Sequence, residues 1–262
     1  MLELRRWVAG TLGLTWLNSQ TPATGSSPIA TVVADFNRDG KADLAVLNQG
    51  TSSGGLNPGS GTLTILLGNG DGTFAATSNS PAVGTNPTAI ATGDINSDGI
   101  LDLAVTNQND PGTVTILLGN GNGTFAAIIP IPVVGGPESI VMGDFNGDGI
   151  PDLVVASYDQ SNLTVLLGHG DGTFTSSTAG PIPSDFSHSL AVADLNGDRV
   201  QDVVVQDQLG TLEVLRRRAM RPRIGFLSLR PGFGRLGLRL RGSGCRRLQL
   251  GEPSIRLVRL RV

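Results

Sequence analysis

The sequence predicts an all-β fold: a β-propeller of four-stranded blades, about four in number, with the ring incomplete or open. Three observations carry this prediction. A nine-residue acidic phrase recurs as DFNRDGKAD (Asp35 to Asp43), DINSDGILD (Asp94 to Asp102), DFNGDGIPD (Asp144 to Asp152) and DLNGDRVQD (Asp194 to Asp202). Successive first aspartates stand 59, 50 and 50 residues apart, a period typical of propellers and solenoids. Each period also divides into four short runs rich in Val, Ile, Leu and Thr and bounded by turn residues, the pattern of antiparallel strands in a blade.

The elements follow in order. Residues 1–27 begin with Arg5 and Arg6, then an apolar run from Trp7 to Leu17, then small and polar residues. This is the order of a secretory signal; the alternative is a strand that closes the array. Residues 28–215 hold the repeat. In the copy from Pro87 to Val133, PTAIATGD leads into the acidic loop and LDLAVTNQ leaves it; GTVTILLGN follows the turn NDPG, and GTFAAIIPIPV follows GNGN. The extra residues of the first interval lie in QGTSSGGLNPGSG, Gln49 to Gly61, an expected surface loop. The exit strands around Leu44–Leu47, Leu103–Val105, Leu153–Val155 and Val203–Val205 are apolar at successive positions. They are expected to be covered on both faces by stacked blades.

A second phrase reads LLGNGDGTF (Leu66 to Phe74), LLGNGNGTF (Leu117 to Phe125) and LLGHGDGTF (Leu166 to Phe174). Its glycines permit tight reversal, and its Phe is expected to return to the core. Asp71 and Asp171 are read as turn residues, because Asn122 replaces them in the middle copy and such a turn needs only Asn or Asp with Gly.

The net charge of −3 conceals two compositions. Residues 1–215 carry 21 acidic and 5 basic residues, whereas residues 216–262 carry 14 Arg and a single acid, Glu252. Arg, Leu and Gly make up 30 of those last 47 residues, and the phrase expected after Leu215 is replaced by RRRAMRPRIGFLSLRPGFGRLGLRL. Three readings of this tail stand: a basic arm for an anionic surface, amphipathic strands from alternating pieces such as LGLRLR, and a shifted reading frame near codon 215, which is preferred because local consistency ends there. The body itself is not expected to bind nucleic acid. The single cysteine, Cys245, excludes an intrachain disulfide, and no apolar stretch reaches the roughly 18 to 20 residues of a membrane span.

The acidic phrase suits calcium, a hard cation taking six to eight oxygen ligands. Side chains at loop positions 1, 3 and 5 are expected on one side of a tight curve, with Gly at position 6, a carbonyl at 7 and Asp at 9 completing the shell. The candidate ligands are Asp35, Asn37, Asp39, the Lys41 carbonyl and Asp43; Asp94, Asn96, Asp98, the Ile100 carbonyl and Asp102; Asp144, Asn146, Asp148, the Ile150 carbonyl and Asp152; and Asp194, Asn196, Asp198, the Val200 carbonyl and Asp202. Arg199 occupies position 6 of the fourth loop and weakens that site. An EF-hand is excluded, because its position-12 acid is replaced by Val46, Val105, Val155 and Val205. Metal-free Asx turns are the alternative.

No catalytic site assembles. His169 lies in a turn phrase, His188 has no nucleophile elbow, and neither has HExxH spacing. The expected function is a non-enzymatic scaffold that binds calcium and a protein or carbohydrate ligand. The alternative is the accessory propeller of a polysaccharide-active enzyme whose catalytic part lies elsewhere.

The four loops, the LLGNGDGTF phrase and the 50-residue period resemble the FG-GAP and VCBS repeats of bacterial surface and secreted proteins, which are similar to the N-terminal propeller of integrin α chains. The resemblance covers about residues 28 to 215. It implies four-stranded blades, calcium in the loop between the first two strands of each, a secreted or cell-surface location and a role in adhesion. Propellers of this type commonly have seven blades, so four loops imply either closure by a strand from the N-terminal segment or tail, or an open array.

Overall fold

A computed structural model describes residues 22–51, 59–109, 111–127, 130–158, 163–179, 187–198, 200–207, 212–217, 224–230 and 237–241. The N-terminal segment before residue 22, Arg199 and Cys245 lie outside them.

All described regular structure is β, in four antiparallel sheets. The first holds β1 (Pro28–Ala34), β2 (Asp43–Asn48), β3 (Ser60–Gly68) and β4 (Phe74–Ala76), with β5 (Ala82–Thr85) also paired to β3. The second holds β6 (Pro87–Gly93), β7 (Asp102–Asn107) and β8 (Gly112–Gly119), with both β9 (Phe125–Ala127) and β10 (Ile131–Val133) on the far edge of β8. The third runs β11 (Pro137–Gly143), β12 (Asp152–Ser157), β13 (Leu163–Gly168), β14 (Phe174–Ala179). The fourth runs β15 (Ser187–Ala193), β16 (Asp202–Asp207), β17 (Leu212–Arg217), β18 (Ile224–Arg230), β19 (Gly237–Arg241). The repeated phrases stop after Leu215, yet the fourth sheet continues through two strands drawn from the Arg-rich tail.

The first three strands of each sheet repeat in register as well as order. Leu44, Leu103, Leu153 and Val203 pair with Leu66, Leu117, Leu166 and Leu215, respectively. Every first strand carries a bulge near its start, between Pro28 and Ala30, Pro87 and Ala89, Pro137 and Ser139, and Ser187 and Ser189. In three sheets a proline begins that strand, where a missing N–H is tolerated.

The first strands pack in series, β1 on β6, β6 on β11 and β11 on β15, so the sheets stack as blades. One apolar layer fills each gap. Between blades one and two it includes Ala45, Leu47, Leu63 and Ile65 facing Leu103, Val105 and Leu117. Between two and three it includes Ala104, Val114 and Ile116 facing Leu153, Val155 and Leu166. Between three and four, Val154, Ala156, Leu163 and Val165 face Val203, Val205 and Leu215. Alternate residues of one exit strand thus serve different layers, and β7 and β12 are buried at every position. This is the physical reason for their unbroken apolar runs.

Phe125 returns to the core as expected and meets Phe36 edge-on, with ring centroids 5.6 Å apart and planes at 72°, a favourable quadrupole arrangement. Phe174 is only half-buried, packed on the second layer.

The array is open. Leu195 and Leu212 of blade four are 39% and 43% exposed, and Val33 of blade one is 62% exposed. Among the described residues no helix is long and apolar enough to cross a membrane.

Candidate metal centre

Each acidic loop joins the first and second strands of its blade, so all four lie at the same end of the stacked sheets. Two left-handed residues produce the tight curve. Position 6 is glycine with φ of 81°, 80° and 84° at Gly40, Gly99 and Gly149. Position 4 is also left-handed, at Arg38 (62°), Ser97 (60°), Gly147 (77°) and Gly197 (77°). The second requirement escaped the sequence reading, although Gly at position 4 in two copies was its signal.

The side chains at positions 1, 3 and 5 turn inward on their own loop. In the first loop Asp35 accepts hydrogen bonds from the N–H groups of Asp39 (Oδ1, 3.1 Å) and Gly40 (Oδ2, 2.8 Å). Asn37 Oδ1 accepts from Asp39 N at 3.0 Å, and Asp39 Oδ1 accepts from Lys41 N at 2.9 Å. The second loop repeats this through Asp94, Asn96 and Asp98, and the third through Asp144, Asn146 and Asp148. The fourth keeps the same skeleton at Asp194, Asn196 and Asp198, the last accepting from Val200 N at 2.9 Å. Positions 1 and 3 are half-buried in the first three loops but exposed in the fourth, which no further blade flanks among the described residues.

The outer oxygen of the position-5 carboxylate collects a donor in each of the first three loops. Lys41 Nζ stands 3.6 Å from Asp39 Oδ2. Asn96 Nδ2 donates to Asp98 Oδ2 at 2.8 Å, and Asn146 Nδ2 to Asp148 Oδ2 at 2.7 Å. The corresponding oxygen of the position-5 carboxylate thus meets an ammonium in one loop and an amide N–H in the other two. The N–H of Lys41, ahead of the nearby ammonium charge, holds the Asp39 carboxyl below its ordinary range.

Position 9 behaves differently. Asp43, Asp102 and Asp152 are fully buried, and each grips two separated pieces of backbone. One oxygen accepts from the N–H of loop position 2, at Phe36 (2.9 Å), Ile95 (2.8 Å) and Phe145 (3.0 Å). The other accepts from the glycine ending the third strand, at Gly68 (2.7 Å), Gly119 (2.8 Å) and Gly168 (2.9 Å). Asp202 is likewise buried and accepts from Leu195 N at 3.1 Å. Burial raises the carboxyl pKa of Asp102 and Asp152, opposed by these N–H groups and reinforced by the position-5 charge of Asp98 or Asp148. The position-9 carboxylate therefore ties the acidic loop to the end of the LLG strand, a role the loop pattern alone did not reveal.

Among the described residues no group of three or more His, Cys, Asp or Glu converges as a metal cage. Each loop instead presents two carboxylates and an amide oxygen, with its third carboxylate bound to the sheet. This is an all-oxygen donor set, as a hard cation requires.

The neighbouring turns need no metal. Asp71 Oδ1 accepts from Thr73 N and Oγ1 at 2.9 and 2.6 Å; Asp171 does the same to Thr173 at 2.9 and 2.6 Å, and Asn122 to Thr124 at 3.0 and 2.6 Å. His169 Nε2 lies 2.9 Å from Thr175 Oγ1 on the exposed turn. His188 falls in β15, and its side chain lies outside the described residues.

No curated protein matches the chain. A family model described as an FG-GAP-like repeat matches residues 53–105, 94–155 and 144–205. Each match runs from one blade across the following acidic loop into its exit strand, so the second, third and fourth loops lie inside matches and the first precedes them. Together these matches span more than half of the chain, which therefore belongs to the FG-GAP-like repeat family.

Proposed function

We propose that this protein is a calcium-dependent, non-enzymatic binding scaffold working outside the cell, with protein or carbohydrate as its ligand. The observation that carries the calcium reading is the repeated outer oxygen of the position-5 aspartate, approached by an ammonium in one loop and by amide N–H groups in two others. A divalent cation takes the place of those donors. The residues that would hold it are the side chains at positions 1, 3 and 5 and the carbonyl at position 7 of each loop, together with position 9 where its carboxylate has lone pairs to share. The ion offsets the repulsion among the loop carboxylates.

Family membership supports the extracellular reading, and the absence of any assembled nucleophile and base in the sequence supports a non-catalytic one. The experiment is thermal unfolding of the full chain in excess chelator and after calcium is restored, with calcium binding followed by titration calorimetry. Chelation lowers Tm and calcium restores it; an identical melting curve in both, with no binding heat, refutes the calcium reading.

A further inference from the structure

Exposed residues at the two ends of the array occupy positions that are buried or half-buried in the blades between. Leu212 stands three residues before Leu215, as Leu63, Val114 and Leu163 stand before Leu66, Leu117 and Leu166. Those three counterparts are 0%, 0% and 1% exposed under the next blade, whereas Leu212 is 43% exposed. Leu195 follows the first aspartate of its loop as Phe36 and Ile95 do; these are each 1% exposed and Leu195 is 39% exposed. At the other end, Thr31 corresponds to Ile90 and Ile140, which pack under the preceding blade, and Val33 corresponds to Thr92 and Met142, both half-buried. Thr31 is exposed, and Val33 is 62% exposed.

The segment leading into blade one resembles the segment leading into blade two. Pro22 to Pro28 reads PATGSSP, against PAVGTNP from Pro81 to Pro87. Ser27 and Asn86 share a left-handed φ of 55° and 50°, and their carbonyls accept from Gln49 N (2.9 Å) and Gln108 N (2.8 Å). Gly25 lies against Asn48 as Gly84 lies against Asn107; a Cβ on either would stand 2.7 Å from the asparagine Cγ. Gly84 belongs to β5, which pairs with β3 of the blade covering that face. Residues 22–25 belong to no strand among the described residues. This segment thus sits on blade one as its counterpart sits on blade two, and among the described residues no sheet pairs with it.

We propose that the end faces bind one another between copies of this chain, the blade-four face of one copy covering the blade-one face of the next. The three internal interfaces are the template, since each joins a face of the blade-four kind to one of the blade-one kind. Two different faces make the contact heterologous, so it extends into open or cyclic assemblies rather than stopping at a symmetric dimer.

Sedimentation velocity of the full chain across a concentration series tests this. The wild type should give masses at multiples of 27.1 kDa that grow with concentration. Val33→Glu on one face and Leu212→Glu on the other should each remain at the single-chain mass. A mixture of the two should give a twofold species and nothing larger, because each variant retains the face the other lacks. Thr31→Glu, also at an exposed position, repeats the test should Val33→Glu fail to fold. A wild type that stays at 27.1 kDa throughout, either variant assembling alone, or a mixture that does not pair overturns the proposal.

Discussion

Asp152 separates what holds the blade from what holds the ion. Its Oδ1 accepts from Gly168 N at 2.9 Å, and its Oδ2 from Phe145 N at 3.0 Å and Asn146 N at 3.2 Å, the carboxylate itself being fully buried. Asp152→Asn keeps the volume but turns one acceptor into an NH₂ donor that must face a backbone N–H. A bond to a charged group contributes about 1.5–3 kcal/mol, and a buried donor left unpaired costs about 1–3 kcal/mol. Part of the loss is offset because burial already opposes ionisation of Asp152. The net expectation is a destabilisation of about 2–4 kcal/mol, present even in excess chelator. Asp148→Ala, on the exposed turn, should cost about 1 kcal/mol or less in chelator while abolishing the calcium response of its loop. For an intact site, calcium ~20-fold above its dissociation constant adds about 1.8 kcal/mol by linkage. Urea unfolding with and without calcium reads both quantities. Should Asp152→Asn be neutral in chelator and harmful only with calcium, position 9 would be a ligand alone and the clamp reading would fail.

Three further outcomes follow from the loop geometry. Lys41→Ala removes the ammonium beside Asp39 Oδ2 and should tighten calcium binding at the first loop a few-fold, most clearly at low salt; unchanged affinity by calorimetry would show that Lys41 does not compete. Ser97→Gly relieves a left-handed residue at φ 60° and should stabilise by up to about 1 kcal/mol in urea unfolding, although glycine's greater freedom in the unfolded chain opposes the gain; a clear loss would mean the Ser97 side chain has a role of its own. The Thr173 hydroxyl and N–H hold the Asp171 carboxyl below the ordinary carboxylate value, so its ionised form favours folding above that ordinary value and the contribution fades as pH falls through the lower folded-state value. Asp171→Asn should unfold with a shallower acid decline in Tm, and a decline as steep as wild type would show that the turn does not depend on this charge.

The sequence was most legible where a residue has one possible use. The unbroken apolar exit strands required cover on both faces, and β7 and β12 have it. Gly at position 6 required a left-handed turn, and Gly40, Gly99 and Gly149 make one. It was least legible for aspartate, which serves equally as metal ligand, turn cap and buried acceptor. The pattern makes all three aspartates of a loop candidate ligands; the structure adds that in the first three blades position 9 accepts from one glycine N–H 16 to 25 residues away along the chain as well as from its own loop. Nothing near Asp152 in sequence announces Gly168.

By itself, the sequence determined the all-β class, the repeated antiparallel blade, the placement of the acidic loops and the family, because each depends on local pattern and period; the count of four strands per blade holds for the third sheet, the others having five. Only the tertiary structure decided which carboxylates face outward and which bind the sheet, that the tail adds β18 and β19 to the fourth blade, and that the array is open at Val33 and Leu212. These depend on which surfaces meet. The acidic phrase is nearly the same in all four copies, but its surroundings are not: a central blade is covered on both sides, whereas each terminal blade has one face that no described sheet covers.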